Sequence, residues 1–333
     1  MNGNIHNMTR RQGLALISAA AGALPLSVLD AWGQSFPTRS VRVVLPVGPG
    51  SGLDARAREV TQKLSELLGQ QVVVENRPGA GGIIAMNLVA KAPADGYTLA
   101  LAGIAPVAYY SALYRKLPFA PEDFAPVSLL ATGPSSVYAS PGFAPRSIEE
   151  LVAYAKITPG HLTYASQGIG TFQHLAGEWF KVAAGVDLLH VPYKEYAQIL
   201  TDLETGRVTL LFDSTGAVLG HVQGGKLKAF AVTGAQRLGS LPEVPTFAES
   251  GLPAYEPSIS YGVFAPAGTP PTVIGRLSLA CGKVQKSKEI QDSLARFGFS
   301  SLGTNPAEFT SYIATERERW IKVVRASGTQ LEY

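Results

Sequence analysis

The chain has 333 residues, 16% of them charged, and a formal net charge of +3. Soluble domains usually carry about 25% charged residues, and no run of four or more Lys/Arg occurs here, which excludes a nucleic-acid surface. A single cysteine, Cys281, excludes an intramolecular disulfide and any cysteine-based metal cluster, and reads as a small buried core residue.

Residues 1–33 read as an export signal. Arg10 and Arg11 give a positive start, residues 13–29 are uncharged and rich in Ala and Leu, and Ala31-Trp32-Gly33 ends in a small-x-small pattern before Gln34. Thr9-Arg10-Arg11 is similar to a twin-arginine signal, although Gly13 stands where a bulkier apolar residue is usual; the general secretory route is the alternative. A membrane anchor is disfavoured, because the run is short for a span of about 20 residues and contains Pro25. Cleavage near Gly33-Gln34 would leave a periplasmic protein.

Residues 41–45, apolar and β-branched, predict a buried strand. The loop Pro46-Val47-Gly48-Pro49-Gly50-Ser51-Gly52 follows, and then a helix with Leu53, Ala57, Val60, Leu64 and Leu67 three or four apart on one face. A strand feeding a bare-backbone loop and a helix N-terminus makes an anion site, because unpaired N–H groups and the positive dipole end point outward. A second strand is expected at 72–75, a glycine-rich turn at 76–82, a helix ending near Ala92, and a third strand at 97–102. This βαβαβ order implies a parallel sheet covered by helices, with ligands at the carboxyl ends of the strands.

Two short apolar segments around residues 127–138, separated by Gly133-Pro134, read as a crossing into a second domain. There Ser147 and Glu150 form a capping-box pattern. A strand at 162–165, the loop Ser166-Gln167-Gly168-Ile169-Gly170 and a helix at 171–184 repeat the strand–glycine–helix logic, with Phe172, Ala176, Trp179, Phe180 and Ala183 on the helix's apolar face. Strands are expected at 188–191, 209–212 and 228–232, a return linker at 241–261, a strand at 263–265, and helices at 270–284, 289–297 and 306–326. The last helix is expected to pack back on the first domain. The domains are then 34–134 plus 258–333, and 135–257.

Three chemistries can be weighed on the residues. A dinucleotide site would need its third glycine where Leu53 stands, and Pro49 removes an amide from the loop. No G-x-S-x-G occurs, so a serine hydrolase would rest on Ser166, His174 and Asp213 meeting at a cleft; otherwise Ser166 and Thr171 donate to a ligand while His174 lines the pocket. The five histidines show no H-x-x-H or H-x-x-x-H spacing, and neither metal nor cofactor is expected. Asp213 either binds a ligand donor or caps the helix starting near Thr215, and Asp54 reads as a helix-terminus residue. Asn76, Arg77 and Asp95 read as turn-tying residues.

The stretches VRVVLPVGPGSGLDARAREV, QQVVVENRPGAGG, KAPADGYTLALAG, ALYRKLPFAPEDFAPVSLLAT, LTYASQGIGTFQHLAGEWFK, LLHVPYKEYAQILTDLETGRV, GGKLKAFAVTGAQR, LPEVPTFAESGLPAYE and YGVFAPAGTP carry a resemblance. In order and spacing, the chain resembles the substrate-binding proteins of tripartite tricarboxylate transporters. That resemblance implies a type II periplasmic-binding-protein fold, two α/β domains around a ligand cleft with two hinge crossings. It implies a monomeric receptor, not an enzyme, that captures a small carboxylate and hands it to a membrane permease. By position it implies a pocket built from Val47, Gly48, Pro49, Gly50, Ser51, Ile104, Ala105, Ser166, Gln167, Gly168, Gly170, Thr171, His174, Tyr193 and Asp213.

This sequence departs from the family pattern in that pocket. Pro-Phe-x-Pro-Gly-Gly is here Pro46-Val47-Gly48-Pro49-Gly50-Ser51, and Pro-Tyr-Lys-Gly is Pro192-Tyr193-Lys194-Glu195, followed by Tyr196. The loop after the third strand is Gly103-Ile104-Ala105-Pro106 rather than one rich in Ser, Thr and Gly, and Phe-Asp-Asn is Phe212-Asp213-Ser214. Fewer polar partners would penalise a second carboxylate left unpaired, which favours a monocarboxylate with an apolar or aromatic body. A ligand sensor for a membrane signalling partner, or an exported hydrolase, is the alternative.

Overall fold

A computed structural model describes residues 36–331. The expected export signal and its cleavage point lie outside them. No helix among the described residues is long and apolar enough to cross a membrane.

The first half is built on β1 (Val41–Leu45), which lies parallel to both β2 (Val72–Asn76) and β3 (Thr98–Gly103). Val41, Val43, Val44 and Leu45 are all buried, as a central parallel strand covered on both faces requires. Between β1 and β2 runs α1 (Gly52–Leu68), started by the Ser51 hydroxyl, which accepts from Asp54 N, and ended by Gly69 at φ 69. Its buried stripe is Ala57, Val60, Thr61, Leu64 and Leu68. Leu67, expected on that face, is 47% exposed, because the stripe advances to Leu68 at the last turn. The glycine turn and α2 (Ile83–Ala90) lead to β3, and β3 leads directly into two single-turn helices, α3 (Ala105–Ala108) and α4 (Tyr110–Leu113).

The expected pair of short segments at 127–138 is one 16-residue strand, β4 (Phe124–Ala139). Its residues 124–134 pair antiparallel with β9 (Ser258–Pro266), and Ser135 onward pairs with β7 (Leu210–Ser214) and β8 (Lys228–Val232). Gly133-Pro134 does not break the strand: Gly133 and Pro134 pair in register with Ile259 and Ser258, and the strand's register shifts fall earlier, at Pro126/Ser128 and Leu129/Ala131. The expected return linker ends earlier than its sequence suggests, with β9 starting at Ser258.

In the second half, β5 (Thr163–Ser166) lies parallel to β6 (Leu189–Pro192) and β7. The full order is β2-β1-β3-β9-β4-β7-β5-β6, with β8 and β10 (Ser300–Ser301) also on β4. Helices α5 (Ile148–Ile157), α6 (Phe172–Ala184), α7 (Tyr196–Glu204) and α8 (Thr215–Gln223) connect these strands. Ser147 caps α5 as expected, while the Glu150 carboxylate accepts from Arg146 N.

The chain closes with α9 (Pro271–Gln285), α10 (Lys288–Ala295) and α11 (Pro306–Ser327). Cys281 on α9 is buried, and burial pushes its thiol up to about 12, so it behaves as a packed apolar group. On α11, Phe309, Ile313, Glu316, Trp320, Val323 and Val324 form the buried stripe. This helix packs on α3, α4, α9 and β4, and also on α6. The Trp320 ring meets Trp179 at 5.2 Å and Phe172 at 6.1 Å, both edge-on, and Tyr109 at 5.1 Å. Because α6 is enclosed between its sheet and α11, its residues 173–180 are all buried, not one stripe alone.

Candidate ligand-binding site

The first loop is held by Asp54. This buried carboxylate accepts from Gly50 N (2.9 Å), Arg58 Nε (3.1 Å) and Asn76 Nδ2 (2.8 Å). The Arg58 hydrogen bond, aided by those of Asn76 and Gly50, holds its pKa at about 2 against the opposing effect of burial. Asn76 also donates to Val47 O, so the expected turn-tying role and the helix-terminus role of Asp54 are the ones observed. Gly50 N is thereby spent inside the protein. The amides of Gly48, Ser51 and Gly52 have no partner among the described residues, and these remain the loop's available donors.

The second loop is more tightly organised. The Ser166 hydroxyl accepts from Gly168 N (3.0 Å) and lies 2.6 Å from His190 Nε2. Thr171, at the α6 N-terminus, donates its hydroxyl to Gly168 O (2.7 Å). Gly170 N donates to His174 Nδ1 (3.2 Å). Burial, with smaller contributions from His190 and Lys181, lowers the His174 pKa to about 3. A neutral imidazole accepting at Nδ1 carries its proton on Nε2. His190 is likewise lowered by burial. Beneath them, Tyr164 donates to Glu178 (2.6 Å), which also takes Lys181 (3.0 Å).

The remaining expected residues fall around these loops. Tyr193 N donates to Ser166 O (2.8 Å), while its hydroxyl donates to Asp202 (3.1 Å). Asp213 is buried and accepts from Ser214 N (2.7 Å), the Tyr196 hydroxyl (2.8 Å) and Gln173 Nε2 (3.3 Å). Burial raises its pKa despite those donors. The cap of α8 is Ser214, not Asp213. Gln173 also reaches Gln167 (3.4 Å). Ile104 is buried at the start of α3 and Ala105 opens that helix, so this segment is not the open loop expected.

Ser166, His174 and Asp213 do not form a relay. The imidazole beside Ser166 is that of His190, His174 serves the Gly170 amide, and the donors of Asp213 are Tyr196, Gln173 and Ser214.

No hydrogen bond among the described residues joins the first loop to the second. Besides the packing of α11 on α6, the halves approach each other at the end of α4. A Cβ on Gly170 would lie 2.9 Å from Leu113 Cδ2 and 2.9 Å from the Tyr114 hydroxyl, and one on Gly81 would lie 3.7 Å from that same hydroxyl. Tyr110 donates to Gly81 O (2.6 Å). The loops after β2 and β5 therefore converge on Tyr114, a residue the sequence did not single out. Its only sequence signal is the aromatic spacing Tyr110–Tyr114 on a helical turn. Two surface grooves lie elsewhere. One of about 330 Å³ is lined by Thr132, Pro134, Thr233, Gln236, Ser258 and Arg319, and one of about 430 Å³ by Trp179, Val182, Glu318 and Lys322. Neither is lined by an expected ligand residue.

Two parallel sheet portions crossed by two long antiparallel strands, with glycine loops at the carboxyl ends of their strands, define a solute-binding receptor fold. Residues 56–329 match the tripartite tricarboxylate transporter family receptor. The chain belongs to that family, whose members are binding proteins and not enzymes. It is 38% identical to the UPF0065 protein in the tcbD-tcbE intergenic region of Pseudomonas sp. (strain P51), over 96% of this chain and 95% of the relative. Among solved structures it is similar to a Rhodopseudomonas palustris protein with adipate, at 34% identity, TM-score 0.83, and coverage of 90% of this chain and 100% of that one. It is also similar to MatC from Rhodopseudomonas palustris with bound malate, at 30% identity, TM-score 0.80, and coverage of 87% and 100%.

Proposed function

We propose that this protein is a periplasmic receptor that captures a small carboxylate and delivers it to the membrane permease of a tripartite tricarboxylate-type transporter. The observation that carries the proposal is the approach of the loops after β2 and β5 to the end of α4, with Gly81 near Tyr114 and Gly170 against Leu113 and Tyr114. A carboxylate enclosed between two helix starts would be held by loop amides, with no arginine required. In this reading the domains are 34–134 plus 258–333, and 135–257, with β4 and β9 as the hinge crossings. The ligand lies among Val47, Gly48, Ser51, Ile104, Ser166, Gly170, Thr171, His174, Tyr193 and Asp213. Supporting the ligand class are adipate and malate in the two related structures. The finer reading is a monocarboxylate with an apolar or aromatic body. The first loop offers few free amides, and Asp213, a buried acid with no basic partner among the described residues, would repel a second carboxylate. The receptor works as an exported monomer after signal cleavage near Gly33-Gln34.

Thermal unfolding of the protein from Gln34 onward against citrate, succinate, adipate, aspartate, glutamate, nicotinate and benzoate, with NAD as a control, tests this. A ligand at 100 times its dissociation constant adds about 2.7 kcal/mol. Stabilisation by benzoate or nicotinate above the others is the expected result. Tightest binding of citrate overturns the monocarboxylate reading, and no response to any acid overturns the receptor reading.

A further inference from the structure

We infer that Tyr114 is a ligand-binding residue, its hydroxyl donating to the captured carboxylate where the two halves meet; the inference rests on the receptor reading above. Three observations converge on it. First, the hydroxyl sits between loops that leave the carboxyl ends of β2 and β5, within 2.9 Å of a Cβ position on Gly170 and 3.7 Å of one on Gly81. Glycine at 170 is what lets the oxygen approach the backbone closely there, while the Gly81 side is in ordinary contact. Second, the hydroxyl has no hydrogen-bond partner among the described residues, although the neighbouring Tyr110 hydroxyl is fully engaged with Gly81 O at 2.6 Å. The Tyr114 oxygen is not one of the buried polar atoms left unsatisfied, so it is reachable from outside and free to donate to an arriving oxygen. Third, the side chain is fixed before any ligand arrives. Its ring packs edge-on to Tyr110 at 5.3 Å, Tyr114 N donates to Tyr110 O (2.8 Å), and Arg115 N and Leu331 N tie the segment to the C-terminal stretch.

The group has the chemistry the role needs. Burial raises the Tyr114 pKa above its ordinary value, so the phenol stays protonated at neutral pH and can only donate to an anion. Its placement between halves also gives it a second consequence. A ligand oxygen bound there touches α4 of the first half and lies beside Gly170 of the second, so the same hydrogen bond that recognises the carboxylate holds the two halves together.

The test measures affinity for the panel acids by calorimetry, and Tm without ligand, for the unchanged protein, Tyr114→Phe and Tyr110→Phe. The phenylalanine at position 114 keeps the ring contact with Tyr110 and removes only the oxygen. Hydrogen bonds to charged groups translate into a loss of roughly 10- to 100-fold in affinity, with Tm of the empty protein unchanged. Tyr110→Phe gives the opposite pattern, a lowered empty Tm, because its hydroxyl already serves Gly81 O. Equal affinity in the unchanged protein and Tyr114→Phe overturns the inference while leaving the receptor reading intact. A fall in empty Tm for Tyr114→Phe matching that of Tyr110→Phe makes the hydroxyl structural and also overturns it. If the unchanged protein binds no acid, the receptor reading falls and this inference with it.

Discussion

Gly170 sits where the second loop touches α4, and replacing it with alanine probes that contact directly. Its φ is +84, where an L-residue pays about 1–2 kcal/mol. The added Cβ also meets two atoms at 2.9 Å, Leu113 Cδ2 and the Tyr114 hydroxyl. Leu113 is fully buried and cannot swing away. Tyr114 can yield only by leaving the place its ring contact defines. Overpacking of this kind costs about 1–3 kcal/mol, so Gly170→Ala should lose about 2–5 kcal/mol in total. Gly185→Ala is the control. Gly185 ends α6, the helix this loop leads into, at φ +62, with no atom within 4 Å of its Cβ position. It therefore carries the backbone cost alone. Urea unfolding followed by circular dichroism gives both values, and their difference isolates the contact with α4. If Gly170→Ala loses no more than Gly185→Ala, the second loop does not pack against Leu113 and Tyr114, and the case for enclosure between the halves fails.

Two further perturbations probe what lies behind the loops. In the folded protein His174 resists protonation until about pH 3, whereas the unfolded chain takes up that proton near the usual 6.5. The unfolded state thus binds the extra proton between these values. Stability is fully present above pH 6.5 and is lost as pH falls toward 3, with a slope of up to about 1.4 kcal/mol per pH unit from this group. His190, also lowered by burial, acts in the same sense. His174→Gln should flatten the stability-against-pH curve from pH 6 to 4, and an unchanged slope would contradict the neutral assignment. Trp320→Ala should cost about 3–5 kcal/mol, since the 1% exposed ring joins Trp179, Phe172 and Tyr109. A loss below 1 kcal/mol in the same urea assay would mean that α11 and α6 are not packed together in solution.

The parts of this fold legible in the sequence are those specified locally. Val41–Leu45, the Ser147 cap and the α6 segment each announce themselves through β-branching, a capping hydroxyl or a glycine loop before an apolar helical stripe. What escaped was set by partners distant in the chain. The 16-residue β4 contains Pro126, Gly133 and Pro134, residues that normally interrupt a strand. It persists because β9 supplies a partner along residues 124–134 and β7 and β8 take over from Ser135. Likewise α3 and α4 carry too few residues for any periodicity to register.

The site divides along the same line, and the division explains what each loop can do. Which backbone groups are exposed was readable: glycines after a strand and before a helix leave amides free. Which of them stay free was not, because that depends on side chains such as Asp54, which claims Gly50 N, and His174, which claims Gly170 N. The pairing of Ser166 with His190 follows from strand register, Tyr164 opposite His190 and Ser166 opposite Pro192, which brings the two side chains onto diagonal positions of neighbouring strands. Each such claim removes a donor from the ligand and stiffens the loop that holds the rest. In the proposed receptor, recognition would then rest on a few unclaimed groups held by a larger number of claimed ones. On the inference drawn above, the hydroxyl of Tyr114 is one such unclaimed group, fixed by its ring contact with Tyr110.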